Sequence, residues 1–149
     1  MRKLAFILVL LFLLSCGESY LFRSVKSFNG SWEFTDTFTS EIKLDKDTDP
    51  SVNGVFTFTH TTDYPYENLY LRNSIIVGDS TRFQDVISYP LQDDLGMWRG
   101  KKKGDIFKID LNLPESYPFP FDESFKFKVE QYTREDALEG VKAIEIKFQ

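Results

Sequence analysis

The sequence predicts an all-β protein, an antiparallel β-sandwich of about seven or eight short strands, immunoglobulin-like or jelly-roll-like, behind a cleaved leader. Three observations carry this prediction. Apolar residues recur with a period of two along most of the chain, as on strands with one wet face. No long stretch has the 3.6-residue period of a helix. Clusters of Pro, Gly, Asn and Asp interrupt the alternation at fairly regular intervals. The chain has 149 residues, 16% of them aromatic, with 15 Phe. One domain of that size can therefore bury a sizeable core.

The leader comes first. Arg2 and Lys3 precede an unbroken apolar run over residues 4–14. A bilayer span needs about 20 apolar residues, so this run has the length of a signal-peptide core instead. It ends in Leu13-Leu14-Ser15-Cys16, which resembles the lipobox of bacterial lipoproteins: an apolar residue, a tolerant position, a small residue, then cysteine. The peptidase requires a small residue before the cut, and the thiol must be free to accept a diacylglycerol. Residues 1–15 thus read as a lipoprotein signal peptide, 16–30 as a lipidated tether and 31–149 as the sandwich domain. Cys16, the expected lipidation site, is the only cysteine, so no intramolecular disulfide can form.

The strands follow in order. Phe38, Ser40, Ile42 and Leu44 alternate with Thr37, Thr39, Glu41 and Lys43. Residues 45–53 form a polar loop with Pro50. Residues 55–61 are rich in Phe and Thr, as strands are. Residues 63–67 hold Pro65 and read as a turn. Leu69, Leu71, Ile75 and Val77 mark a strand closed by Gly78-Asp79-Ser80, and residues 81–89 form the next, stopped by Pro90. Phe107, Ile109, Leu111 and Leu113 share one face of a strand over 106–113. Pro114, Pro118 and Pro120 break the chain. Phe125, Phe127 and Val129 mark another strand, and Ile144, Ile146 and Phe148 the last. Residues 133–139 are the one helical candidate, of a single turn.

Charge and chemistry narrow the function. The formal net charge is −5, more negative still once Arg2 and Lys3 are removed. Such a surface suits neither nucleic acid nor anionic lipid, so the lipid itself must anchor the protein. His60 is the sole histidine. It lies in the run Phe56-Thr57-Phe58-Thr59-His60, with no strained serine elbow nearby, and reads as a structural or surface residue rather than a catalytic base. Zinc wants several His or Cys ligands, which the chain lacks. Asp45, Asp47 and Asp49 have the spacing of a calcium loop, but Pro50 and Phe56 stand where the turn glycine and the bidentate Glu belong, so a solvated acidic loop is expected. No carboxylate spacing singles out a glycosidase pair, and no cofactor fingerprint is present. Lys101, Lys102 and Lys103, between Gly100 and Gly104, could hold a phosphate or an acidic partner; a solvated hairpin loop is the plainer reading. Tyr64, Tyr66, Tyr70 and Trp98 could stack on sugars or fill the core.

Three segments carry a family resemblance. They are Thr61-Thr62-Asp63-Tyr64-Pro65-Tyr66-Glu67-Asn68-Leu69-Tyr70-Leu71, then Gly96-Met97-Trp98-Arg99-Gly100-Lys101-Lys102-Lys103-Gly104-Asp105-Ile106-Phe107, then 125–148 with Gln131, Arg134, Asp136, Leu138 and Gly140. With the Leu-Leu-Ser-Cys start and Trp32, they resemble the GldH family of gliding motility lipoproteins of the Bacteroidetes. Two positions depart from that family. Lys102 replaces the central glycine of its middle segment, and Thr133 stands where Met is usual. If the central position needs φ > 0, Lys102 fits it poorly. The resemblance implies a non-enzymatic part of the gliding and type IX secretion machinery, with no cofactor and no catalytic residue to carry over.

The expectation is therefore a lipoprotein held at the outer membrane, facing the periplasm, that contacts other envelope proteins. Only Glu18 follows the cysteine closely, whereas surface display in that phylum uses an acidic cluster there. The expected contact loops are 61–68 and 96–105, with Tyr64, Tyr66, Trp98, Lys101, Lys102, Lys103 and Asp105 as candidate contact residues. The alternative is an accessory lipoprotein that binds cell-envelope polysaccharide.

Overall fold

The computed structural model describes residues 20–149 apart from 46 and 48–51. Among these residues there are nine strands and no helix: β1 Phe22–Glu33, β2 Phe38–Lys43, β3 Gly54–Thr61, β4 Asn68–Val77, β5 Ser80–Pro90, β6 Lys101–Lys103, β7 Ile106–Asn112, β8 Ser124–Gln131 and β9 Ala137–Phe148. They form a five-stranded sheet, β1-β9-β3-β7-β6, and a four-stranded sheet, β2-β8-β4-β5. Every pairing is antiparallel.

The pairing order decides between the two sandwich types. β1 pairs with β9, β2 with β8, β3 with β7, and β4 with β5. The first four long strands thus pair with the last four in reverse, as if one long hairpin had been rolled up. That is the jelly roll, two Greek keys wound into a double sheet. β6 is an addition at the edge. A chain built this way makes few local contacts, so nothing local in the sequence could fix its strand order.

The core fills the space between the sheets. Phe56, Phe58, Ile144, Ile146 and Phe148 face it from the larger sheet, and Ile42, Leu69, Leu71, Phe125 and Phe127 from the smaller; all are almost fully buried. The predicted alternations of β2, β7 and β8 stand out as strict burial alternation at Phe38–Lys43, at Ile106–Asn112 and over the first half of Ser124–Gln131.

Three expectations need correction. The segment 22–30 is strand rather than tether, since β1 runs from Phe22 and pairs with β9 along its length. Ser24 and Lys26 occupy alternate positions with Phe22 and Phe28 on one face, which hid the alternation. Residues 133–139 contain no helical turn, because 133–136 are a bend and β9 starts at Ala137. The lysine run is itself strand β6, paired with β7 through Lys101–Lys108, Lys102–Phe107 and Lys103–Ile106. The left-handed residues are the flanking Gly100 and Gly104, at φ 92° and 64°, so Lys102 is unstrained.

Gly140 fixes one join. Its φ is +78°, and a Cβ there would stand 2.4 Å from the Tyr64 backbone nitrogen. The register of β9 against β1 shifts across this residue, from Gly30–Val141 to Ser31–Glu139. The bulge lets the 62–67 loop lie directly on the β9 backbone.

Candidate interaction surfaces

β1 starts at one end of the sandwich, where β9 also ends, and runs twelve residues to the other. The end farther from the N-terminus, called distal here, carries the loops after β1, β3, β5 and β8. Most of the candidate contact residues lie there, but they divide into buried props and exposed surface.

Tyr64 is a prop. Its side chain is 1% exposed and its hydroxyl donates to the Asn68 carbonyl at 3.0 Å. Burial pushes its phenol well above the usual range. Its ring meets those of Phe58, His60 and Tyr66 at 5.3, 5.4 and 5.8 Å. Trp98, half-buried, sits edge-on to His60 at 4.7 Å. His60 is fully buried; its Nδ1 lies 2.9 Å from the Thr61 carbonyl, and its Nε2 finds no partner. Desolvation pushes the imidazole below its ordinary value, the Thr61 carbonyl opposing. Of the structural and surface positions that its strand context left open, His60 takes the buried one, and Tyr64 is no surface contact. Together the rings form a pedestal under the distal loops.

Above the pedestal the surface is apolar. Phe34, Tyr70, Val86 and Tyr132 are 47%, 42%, 43% and 47% exposed. With Tyr66, Asn68, Thr133, Arg134 and Glu135 they line a groove of about 800 Å³. Local hydrogen bonds hold its walls. Tyr132 N donates to the Tyr70 carbonyl at 2.9 Å, and Phe34 N to that of Asp136 at 2.7 Å. Thr133 Oγ1 donates to Gln131 Oε1 at 2.5 Å, and Glu135 N to Thr133 Oγ1 at 3.2 Å. The Glu135 carboxylate beside Tyr66 raises its phenol. The Arg72 guanidinium lies over the Tyr132 ring at 5.2 Å and pairs with Glu130 at 3.0 Å. Of the four tyrosine and tryptophan candidates for sugar stacking, Tyr66 and Tyr70 share this groove, while Tyr64 and Trp98 stand in the pedestal. Phe34, Val86 and Tyr132 were not legible as partners, because they come from three separate loops and strands.

The loop 91–100 is braced on itself. Asp93 Oδ1 accepts from Leu95 N and Met97 N, both at 2.9 Å. Leu95 is 85% and Met97 63% exposed at its tip. Lys101, Lys102 and Lys103 follow, all exposed, as does Asp105 in the β6–β7 turn. Lysines along a sheet edge discourage pairing with other strands, and that is one structural use for the run. Lys102 Nζ caps the Phe107 ring at 5.4 Å.

The outer face of the five-stranded sheet is ionic instead. Arg23 Nε meets Glu145 Oε1 at 2.5 Å, Lys108 meets Glu145 Oε2 at 3.5 Å, and Lys147 meets Asp110 at 3.3 Å. Burial works against both carboxylates. Hydrogen bonds from Thr57 and Lys147 hold Asp110 below its usual range all the same; Arg23, with Lys108 and Lys147, does so for Glu145.

Asp49 of the acidic triad and Cys16 lie outside the described residues. Among the described residues no cluster of His, Cys, Asp and Glu is set to hold a metal.

The comparisons with known proteins bear on this arrangement. None of the curated proteins matches the chain. A crystal structure of dimeric latent PorU from Porphyromonas gingivalis is similar over 89% of this chain and 14% of its own, at 13% identity and a TM-score of 0.31. That of the infectious bursal disease virus VP2 subviral particle is similar over 87% of this chain and 33% of its own, at 14% identity and a TM-score of 0.30. The chain therefore spans less than two thirds of either protein. The profile described as GldH lipoprotein matches residues 20–148, a span that takes in all nine strands, and the chain belongs to that family.

Proposed function

We propose that this protein is a non-enzymatic, lipid-anchored component of the gliding motility and type IX secretion machinery, held at the periplasmic face of the outer membrane through Cys16. It acts by protein–protein contact through the distal apolar groove. The observation that carries this reading is the gathering of Phe34, Tyr70, Val86 and Tyr132, all exposed, in one groove at the end opposite the N-terminus. Solvated aromatic patches of this kind are what partner proteins cover. The six steps from Cys16 to Phe22 span at most about 20 Å. The anchor thus keeps the near end at the bilayer, and the length of β1, about 35 Å, holds the groove away from it.

The test is recovery of partners from gently cross-linked outer membranes by the C-terminally tagged protein, read by mass spectrometry. Gliding or secretion proteins should be recovered with the parent and lost with the Tyr70→Glu, Tyr132→Glu double variant, whose thermal melt should match the parent's. Cys16→Ala should release the protein from the membrane fraction. Unaltered recovery by the double variant would remove the groove from the reading.

A second reading has one observation in its favour. Asn68, Arg134 and Glu135 stand beside Tyr66, Tyr70 and Tyr132 in the same groove, and polar groups beside aromatic rings also suit envelope polysaccharide. Retardation of the protein in gels cast with such glycans, abolished by the same double variant, would promote it over protein contact.

A further inference from the structure

We propose that a second site, on the flank of the five-stranded sheet, takes up an acidic, extended polypeptide segment of a partner by strand addition to the open edge of β7. It lies on a different sheet from the distal groove and does not depend on that reading.

Three observations lead there. The first is charge. The chain carries a formal −5, yet Arg23, Arg99, Lys101, Lys108 and Lys147 line this groove of about 840 Å³ against only Asp110 and Glu145. Both carboxylates are already engaged by Arg23, Lys147 and Thr57. Arg99 donates to the Gln92 carbonyl at 2.9 Å. Among the described residues neither Arg99 nor Lys101 has a carboxylate within ion-pair distance.

The second is an unfinished sheet edge. β6 pairs only with Ile106, Phe107 and Lys108 of β7. A Cβ on Gly100 would stand 2.4 Å from the Lys108 carbonyl oxygen, so the chain presses onto β7 there and turns away. From 109 to 112 no described strand pairs with β7 on that side.

The third is phase. Leu113 N donates to the Gly54 carbonyl at 2.8 Å. Backbone groups alternate in direction along an antiparallel strand, so those of Asn112 and Asp110 point away from β3, into the groove. The Asn112 carbonyl accepts from the Tyr89 hydroxyl at 3.3 Å. The Asp110 N–H and C=O are presented to the groove.

A peptide strand is the occupant that can use such backbone groups in ladder geometry; a lipid headgroup or a glycan cannot. The cations then select its sign. A second copy of this chain would bring lysines to lysines at this edge, whereas alternate acidic side chains turn the repulsion into attraction.

The experiment uses the full chain in detergent and fluorescence anisotropy with three labelled peptides. They are an alternating Glu-Thr decamer, its Gln-Thr counterpart, and the Glu-Thr decamer N-methylated at alternate backbone amides. The Glu-Thr peptide should bind. The Gln-Thr and N-methylated peptides should bind about tenfold more weakly or worse, a loss of about 1.4 kcal/mol. Lys101→Glu should weaken the parent peptide to a similar degree, with an unchanged melt. Equal binding of the N-methylated peptide would overturn strand addition, since its charge is intact. Equal binding of the Gln-Thr peptide would overturn the role of charge. No binding of the Glu-Thr peptide would overturn the proposal.

Discussion

The two ends of the sandwich are closed by aromatic clusters of different kinds. At the N-terminal end, the segment with Pro114, Pro118 and Pro120 folds Tyr117 and Phe119 back into the core. Phe119 meets Phe125, Phe127 and Phe148 at 5.9, 5.9 and 5.0 Å, and Asn73 donates to the Tyr117 hydroxyl at 3.0 Å. Burial pushes that phenol up to about 12. At the distal end the cluster is as dense, but a titratable imidazole sits in its middle, and Phe34, Tyr70 and Tyr132 are left outside in water. Among the described residues one end is a nearly finished plug, with Phe121 38% exposed at its rim; the other supports a surface with more apolar area in water. On the proposed reading the difference separates residues that hold the fold from residues that meet a partner, and substitutions can test that separation.

The largest effect is expected at the join beneath the distal loops. Gly140→Ala forces an L residue to φ +78° and a Cβ to within 2.4 Å of the Tyr64 backbone. Left-handed strain and overpacking together should cost roughly 3 kcal/mol or more. Gly78→Ala, in the β4–β5 hairpin at the other end, shares the sign of φ, at +59°, but meets nothing within 4 Å. It should cost only about 1 kcal/mol. Urea melts of the two variants measure the contrast. Equal losses would mean that the distal loop is not seated on β9 as described.

Next in size is the effect of pH on the distal cluster. His60 is pushed below its ordinary 6.5 in the folded state, chiefly by burial. The unfolded chain therefore takes up a proton near 6.5 while the folded chain does not. Stability should be level above about 6.5 and fall as the pH drops below it. A further loss comes at lower pH, as Asp110, Glu130 and Glu145, all held below their usual range, are protonated. His60→Phe should flatten the first limb and keep the second. A melting temperature level from pH 8 to 5 in the parent chain would refute the assignment.

These positions also show what the sequence could reveal. β7 and β8 were legible because packing on one face and water on the other imposes a strict alternation at 106–112 and 124–128. β1 was not, because Ser24 and Lys26 interrupt its Phe22 and Phe28 face. β6 was not, because three exposed lysines have no alternation to read, and only their pairing with β7 makes them a strand. Tyr64 and Tyr66 stand two residues apart with opposite fates. Tyr64 is sealed under the loop among the rings of Phe58, His60 and Trp98, and Tyr66 faces the groove. The groove joins residues from β4, β5 and the loops after β1, β3 and β8, so its existence depended on a strand order set by distant pairing.

The smallest change in stability is expected where the functional effect is greatest. Val86 lies on β5, an edge strand, with its side chain on the outer face and 43% exposed. Its cross-strand neighbour is Arg72, which is already held by Glu130 and the Tyr132 ring. Val86→Ser removes apolar area that water already reaches, so the melt should shift by no more than about 0.5 kcal/mol. If the groove is a partner surface, the same change removes area that becomes fully desolvated on binding, and partner recovery from outer membranes should fall severalfold. A loss of stability above 1 kcal/mol without loss of partners would place Val86 with the residues that hold the fold, and the distal end would then be as finished as the other.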